Sequence, residues 1–212
     1  MNKNFKKLSI TYIMIGVCVA TYLYTSLRYS INMNAWEGLM AGALHPILVI
    51  EDHQFYRIIT ANFIHFGLMH LVCNCYSLFN IGQVMERLLG GVRYFIILVG
   101  SMLFTTIIPI ELYFFLGIGE NSVMAGFSGA IFGLIGAIMA LAWHFKDVYM
   151  YIFKQIAPSV ILMLFLSFAI PSISLVGHLS GLIGGYIMAL CIIYFYPLPS
   201  WRNNNYYSNF VN

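Results

Sequence analysis

The segment from Asn121 to Phe145 carries no charged residue. An α-helix rises about 1.5 Å per residue and the hydrocarbon core of a bilayer is about 30 Å thick, so a run of this length reaches across a membrane. The rest of the chain has the same character. Only 8% of its 212 residues are charged and 61% are hydrophobic, where a soluble domain carries about 25% charge. The mean hydropathy is +0.84. The chain is therefore an integral membrane protein. Its apolar runs are long and continuous, which excludes the short alternating segments of a transmembrane barrel.

The fold class expected is an all-α membrane protein, a six-transmembrane-helix bundle with an interfacial first loop. The spans are expected at 8–27, 64–88, 92–116, 123–145, 148–168 and 173–196. Together they form a single domain over residues 1–212. The breaks between them are short: Gly90-Gly91, 117–121, Lys146-Asp147 and Pro171-Ser172. Pro158 inside the fifth span allows a kink. The exception is the first connection, residues 28–63, which mixes Trp36, His45 and Glu51-Asp52-His53 with apolar pieces. Such a sequence suits short helices lying at the membrane interface. The basic N-terminus leads into an apolar stretch too long for a signal peptide's core, with no clear cleavage site, and is taken as the first span. Cys18, Cys73, Cys75 and Cys191 all stand in apolar runs, without metal-site or disulfide spacing, and are taken as small apolar fillers. The net charge of +3 says little about partners, because placement matters more than sum. The surroundings called for are the lipid bilayer, with no nucleic acid.

Placement of the basic residues predicts orientation. With the N-terminus in the cytoplasm, Lys3, Lys6, Lys7, Arg87, Arg93, Lys146, Lys154 and Arg202 lie inside, and only Arg28 and Arg57 lie outside. Both termini are then cytoplasmic. The second, fourth and sixth spans start at the outer face of a cell membrane.

Polar groups in a bilayer are costly and each asks for a reason. The second span carries His65, His70 and Asn74, the last two at i, i+4 on one face. The fourth carries Ser128 and the sixth His178, each about five residues from the outer end. All these side chains fall in the outer third of the bilayer. Gly129, Gly133, Gly136 and Ala140 make one small-residue stripe, and Gly181, Gly185 and Ala189 make another beside His178. Stripes of this kind let two helix backbones approach closely. Packed on each other, they bring a serine up to a histidine, the pairing of a nucleophile with its general base. Each feature has a plainer reading as well. Membrane serines bond their own helix, membrane histidines bond neighbouring helices, and glycine stripes serve packing alone.

At these residues the chain resembles the rhomboid family of intramembrane serine proteases, across residues 54–190. The similarity rests on Gly126-Phe127-Ser128-Gly129, on His178 before Gly181 and Gly185, and on the spacing of His65, His70 and Asn74. It extends to Tyr56-Arg57 before the second span and to Gly82, Glu86 and Gly90 after it. Two positions depart from the family pattern. Phe132 stands where many members have tyrosine, and Tyr56 where many have tryptophan. The resemblance implies the compact bacterial six-span form and a serine endopeptidase that cleaves transmembrane segments of membrane-protein substrates. It implies Ser128 as nucleophile and His178 as general base and acid. His70, Asn74 and the Ser128 backbone N–H become the oxyanion site, with His65, Phe132, Gly126, Gly129 and Gly181 in support. No acidic residue accompanies His178, so its orientation is expected to come from packing on Phe132. Arg57 and Glu86 are read as structural, and the first loop and a mobile fifth span as shaping access. No cofactor and no metal are called for. Three alternatives stand beside this reading. They are an inactive rhomboid-like chaperone or binding protein, a transporter lined by the polar residues, and a zinc site made by His65, His70 and His178.

Overall fold

In the computed structural model of the chain, residues 9–169 and 173–195 are described; Pro171-Ser172 and the basic residues Lys3, Lys6, Lys7 and Arg202 lie outside them. The first long helix, α1, spans Ile10–Arg28. Its start is held by a distant acid. Glu86 accepts from the backbone N–H of Ile10 and Thr11 at 2.8 and 3.0 Å, and from the hydroxyls of Ser9 and Thr11 at 2.6 and 2.8 Å. A carboxylate here satisfies amides that a helix N-terminus leaves free and complements its dipole.

The long connection that follows folds into three short helices, α2 (Ala35–Ala41), α3 (Pro46–Ile50) and α4 (Arg57–Thr60). Asn34 and Glu37 form a reciprocal capping box at the start of α2. Arg57, buried at 5% exposure, gathers the loop around its guanidinium. It donates to the carbonyls of Leu39 and Ala43 at 2.8 and 2.6 Å and to Gln54 Oε1 at 2.8 Å.

The second expected span is helical from Leu68 but not uniform. It is built from α5 (Leu68–Ser77), a π-helical turn (Leu78–Gly82) and α6 (Gln83–Leu89). The remaining helices are α7 (Gly91–Leu116), α8 (Ser128–Phe145), α9 (Asp147–Ala169) and α10 (Leu175–Phe195). The described residues thus hold five unbroken α-helices long and apolar enough to cross a membrane, not six. The expected span that is not among these five is the second, interrupted by the π turn, a wider turn that hydropathy does not register. Pro158 lies within α9 without ending it.

Two helices begin well after their expected starts, at Leu68 rather than 64 and at Ser128 rather than 123. The preceding residues are apolar but bond outside their own helices. Met33 N–H donates to Phe66 O at 2.8 Å. Leu44 and Met124 exchange both backbone bonds, at 2.8 and 3.0 Å, in an isolated antiparallel bridge. Gly126 N–H donates to Ala61 O at 2.9 Å. Short apolar runs look alike to a hydropathy argument whether helical or extended.

Helix α8 lies at the centre, with 72% of its apolar window buried inside the protein. It is apolar on all sides, as an interior helix must be. Its stripe meets that of α10 backbone to backbone. A Cβ on Gly181 would strike the carbonyl of Gly129, one on Gly185 the carbonyl of Gly133, and one on Gly136 the carbonyl of Leu182. The other side of the contact is closed by α7. Gly184 leaves room for Phe104 and Gly100 for Met188.

Candidate active site

Ser128 is the first residue of α8 and His178 belongs to the first turn of α10. The glycine contacts just described bring these two ends together. Ser128 Oγ lies 2.8 Å from Nε2 of His178, inside hydrogen-bond distance. The imidazole lies over the ring of Phe132, one turn along α8, with centroids 4.3 Å apart and planes 20° from parallel. Phe132 is fully buried and His178 is 7% exposed, so the ring is clamped in its plane. Gly129 and Gly181 supply the close approach beneath the pair.

Gly126 turns the chain into α8 with φ +124°, a conformation that side chains disfavour. Space makes the same demand. A Cβ there would stand 2.6 Å from His70 Nε2 and 3.4 Å from Asn74 Nδ2. Both side chains of α5 therefore lie against the backbone just ahead of Ser128. His65, which precedes α5 rather than sitting within it, packs edge-on to His70 with centroids 5.0 Å apart. Its Nδ1 lies 3.0 Å from Phe63 O. As a carbonyl only accepts, Nδ1 carries the proton. The buried Nε2 of His65 and Nδ2 of Asn74 make no hydrogen bond within the protein. Buried polar atoms without partners are rare, and they concentrate where a protein binds something else.

The structure thus collects every site residue expected from the sequence at one end of the bundle. It also adds one. Oγ of Ser167, on α9, lies 2.7 Å from Nδ1 of His178, so packing on Phe132 is not the ring's only constraint. Nothing marks Ser167 in the sequence. A single serine in an apolar helix ordinarily bonds its own backbone, and Ser167 does so as well, to Met163 O at 2.7 Å. Among the described residues, no group of three His, Cys, Asp or Glu side chains has a metal-binding arrangement.

A helical, multi-pass membrane protein with a serine and a histidine joined at one end of its bundle is the class that these features define. The family model of the Rhomboid domain matches residues 52–195, about two thirds of the chain, and the chain belongs to the rhomboid family. Among its relatives, the rhomboid protease GluP of Bacillus subtilis is 27% identical over 184 residues, covering 81% of this chain and 34% of GluP. YdcA of the same organism is 29% identical over 150 residues, covering 68% of this chain and 71% of YdcA. The rhomboid-like protease 1 of Toxoplasma gondii is 29% identical over 154 residues, covering 70% of this chain and 50% of that protein. The chain therefore spans about a third of GluP and half of the Toxoplasma protein.

Proposed function

We propose that this protein is an intramembrane serine endopeptidase that cuts the transmembrane segments of membrane-protein substrates through a Ser128–His178 dyad. The observation that carries the reading is the 2.8 Å contact between Ser128 Oγ and His178 Nε2, at a helix end lined by unpartnered polar groups. The names of the relatives GluP and the Toxoplasma protein agree with it.

The chemistry follows from that geometry. Ser128 Oγ attacks the carbonyl carbon of a substrate peptide bond while its proton passes to Nε2 of His178. The carbonyl oxygen becomes an oxyanion. The Ser128 backbone N–H, at the positive end of α8, and the side chains of Asn74 and His70 are the donors for it. The C–N bond then breaks, and the imidazolium gives its proton to the departing amine. The acyl group stays on Ser128 as an ester. Water, deprotonated by His178, attacks that ester; the bond from the acyl carbon to Ser128 Oγ breaks, the imidazolium returns its proton to Oγ, and the second product is freed as a carboxylic acid. The substrate's own helix must unwind locally, because a peptide carbonyl inside a helix is shielded by the next turn. We place the protein in a plasma membrane with the dyad opening to the extracytoplasmic side, on the distribution of lysine and arginine.

The test is cleavage of a single-span substrate by purified protein in detergent. Ser128→Ala and His178→Ala are each expected to lose on the order of 10⁴-fold or more in kcat while remaining folded, and a fluorophosphonate is expected to label the wild type on Ser128. Full activity in Ser128→Ala would refute the reading. Inhibition by chelators, with no loss in Ser128→Ala, would point instead to a metal.

A further inference from the structure

The hydroxyl that reaches His178 from α9 has only one proton, and two close contacts compete for it. Ser167 is buried, at 4% exposure. Its Oγ lies 2.7 Å from Met163 O and 2.7 Å from His178 Nδ1. A carbonyl oxygen accepts and never donates. The Ser167 proton is therefore committed to Met163, and Oγ turns a lone pair to Nδ1. Nδ1 must then bear hydrogen for the 2.7 Å contact to be a bond. A neutral imidazole has one N–H, so Nε2 is bare, and it is Nε2 that faces Ser128 Oγ at 2.8 Å.

Stacking on Phe132 does not achieve this. An aromatic face holds the ring in its plane, yet it accepts either ring flip and either tautomer equally. Turning the ring over would replace Nδ1 with carbon at Ser167 and Nε2 with carbon at Ser128. The hydrogen bond from α9 distinguishes these states. We propose that Ser167 is a positioning residue that fixes the flip and tautomer of His178, the part a carboxylate plays in three-residue serine enzymes. The role continues after the proton has moved. The imidazolium still donates from Nδ1, now as a charge-assisted bond, so Ser167 also stabilises the cation that proton transfer creates.

This inference rests on the proposed peptidase activity for its consequence, though not for the tautomer itself. Threonine and valine have the same shape and differ by a hydroxyl, so Ser167→Thr and Ser167→Val separate hydrogen bonding from packing. We expect Ser167→Val to lower kcat about 10- to 100-fold, in the range of a lost supporting hydrogen bond, with KM within about twofold. Ser167→Thr is expected to keep most of the activity. In parallel, ¹⁵N–¹H NMR of histidine-labelled protein in micelles reads which imidazole nitrogen is protonated, with His178→Gln identifying the signal. Wild type and Ser167→Thr are expected to show Nδ1–H, and Ser167→Val a mixture or Nε2–H. If Ser167→Val matches Ser167→Thr in kcat and keeps pure Nδ1–H, Ser167 has no positioning role and the inference is overturned. If wild type does not cleave and the fluorophosphonate does not label Ser128, the peptidase reading fails by itself. The NMR comparison still decides whether Ser167 sets the tautomer.

Discussion

Four hydrogen-bonding atoms in line, Ser128 Oγ, the two nitrogens of His178 and Ser167 Oγ, carry the direction of proton transfer in the proposed reaction. Each depends on its neighbour for a definite role, and changes along the line should be strongly non-additive. The proposed oxyanion donors form a separate set. Asn74 Nδ2 is buried with no partner inside the protein, the state expected of a donor kept for a group that appears only during reaction. Asn74→Ala is therefore expected to lower kcat about 10²- to 10³-fold with a smaller change in KM, read from steady-state cleavage of a single-span substrate. At this scale most of the site was legible. Ser128, His178, His70 and Asn74 stand out because polar groups in apolar helices are costly and stay only with a reason. Ser167 did not stand out, because its local bond to Met163 would satisfy it in any isolated helix.

At the scale of elements, the pair of small-residue stripes does for α8 and α10 what large side chains do for most helix pairs. It removes everything between the backbones. Adding a side chain there is costly in proportion. A Cβ on Gly185 would collide with the backbone of Gly133, which has no rotamer with which to yield. Gly185→Val is expected to destabilise the protein by about 3 kcal/mol or more, above the usual range for overpacking, seen as a lower melting temperature in detergent. Glu86 makes a contrasting prediction. It closes α1 onto α6 through four hydrogen bonds at the opposite end of the bundle from Ser128. Glu86→Ala strands the amides of Ile10 and Thr11 and the hydroxyl of Ser9, and leaves the Thr11 hydroxyl only its contact to Tyr94. It is expected to cost about 1–3 kcal/mol of stability while the folded fraction keeps its kcat. The stripes were readable from residue spacing alone. The extended stretches ahead of α5 and α8 were not, because the partners that keep them from coiling, Phe66 with Met33 and Met124 with Leu44, come from different parts of the chain.

For the whole molecule, membership of the rhomboid family and a multi-pass helical fold fit together with a central, lipid-shielded α8. They leave the sidedness to be measured. With native cysteines replaced, Glu120→Cys, in the turn before α8, is expected to react with a membrane-impermeant maleimide on intact cells. Lys146→Cys, at the far end of α8, is expected to react only after permeabilisation. The reverse pattern would turn the site to the cytoplasm. The amino-acid sequence by itself determined that this chain crosses a membrane as helices, roughly where those helices lie, and which side chains are candidates for chemistry. Those properties are local: they depend on hydropathy summed over a run and on residue types at short spacing. The tertiary structure decided where α5 and α8 begin, the π turn that breaks the second span, and the bond from α9 that selects a tautomer of His178. Each of these depends on a distance between atoms of different elements, and only packing decides such a distance.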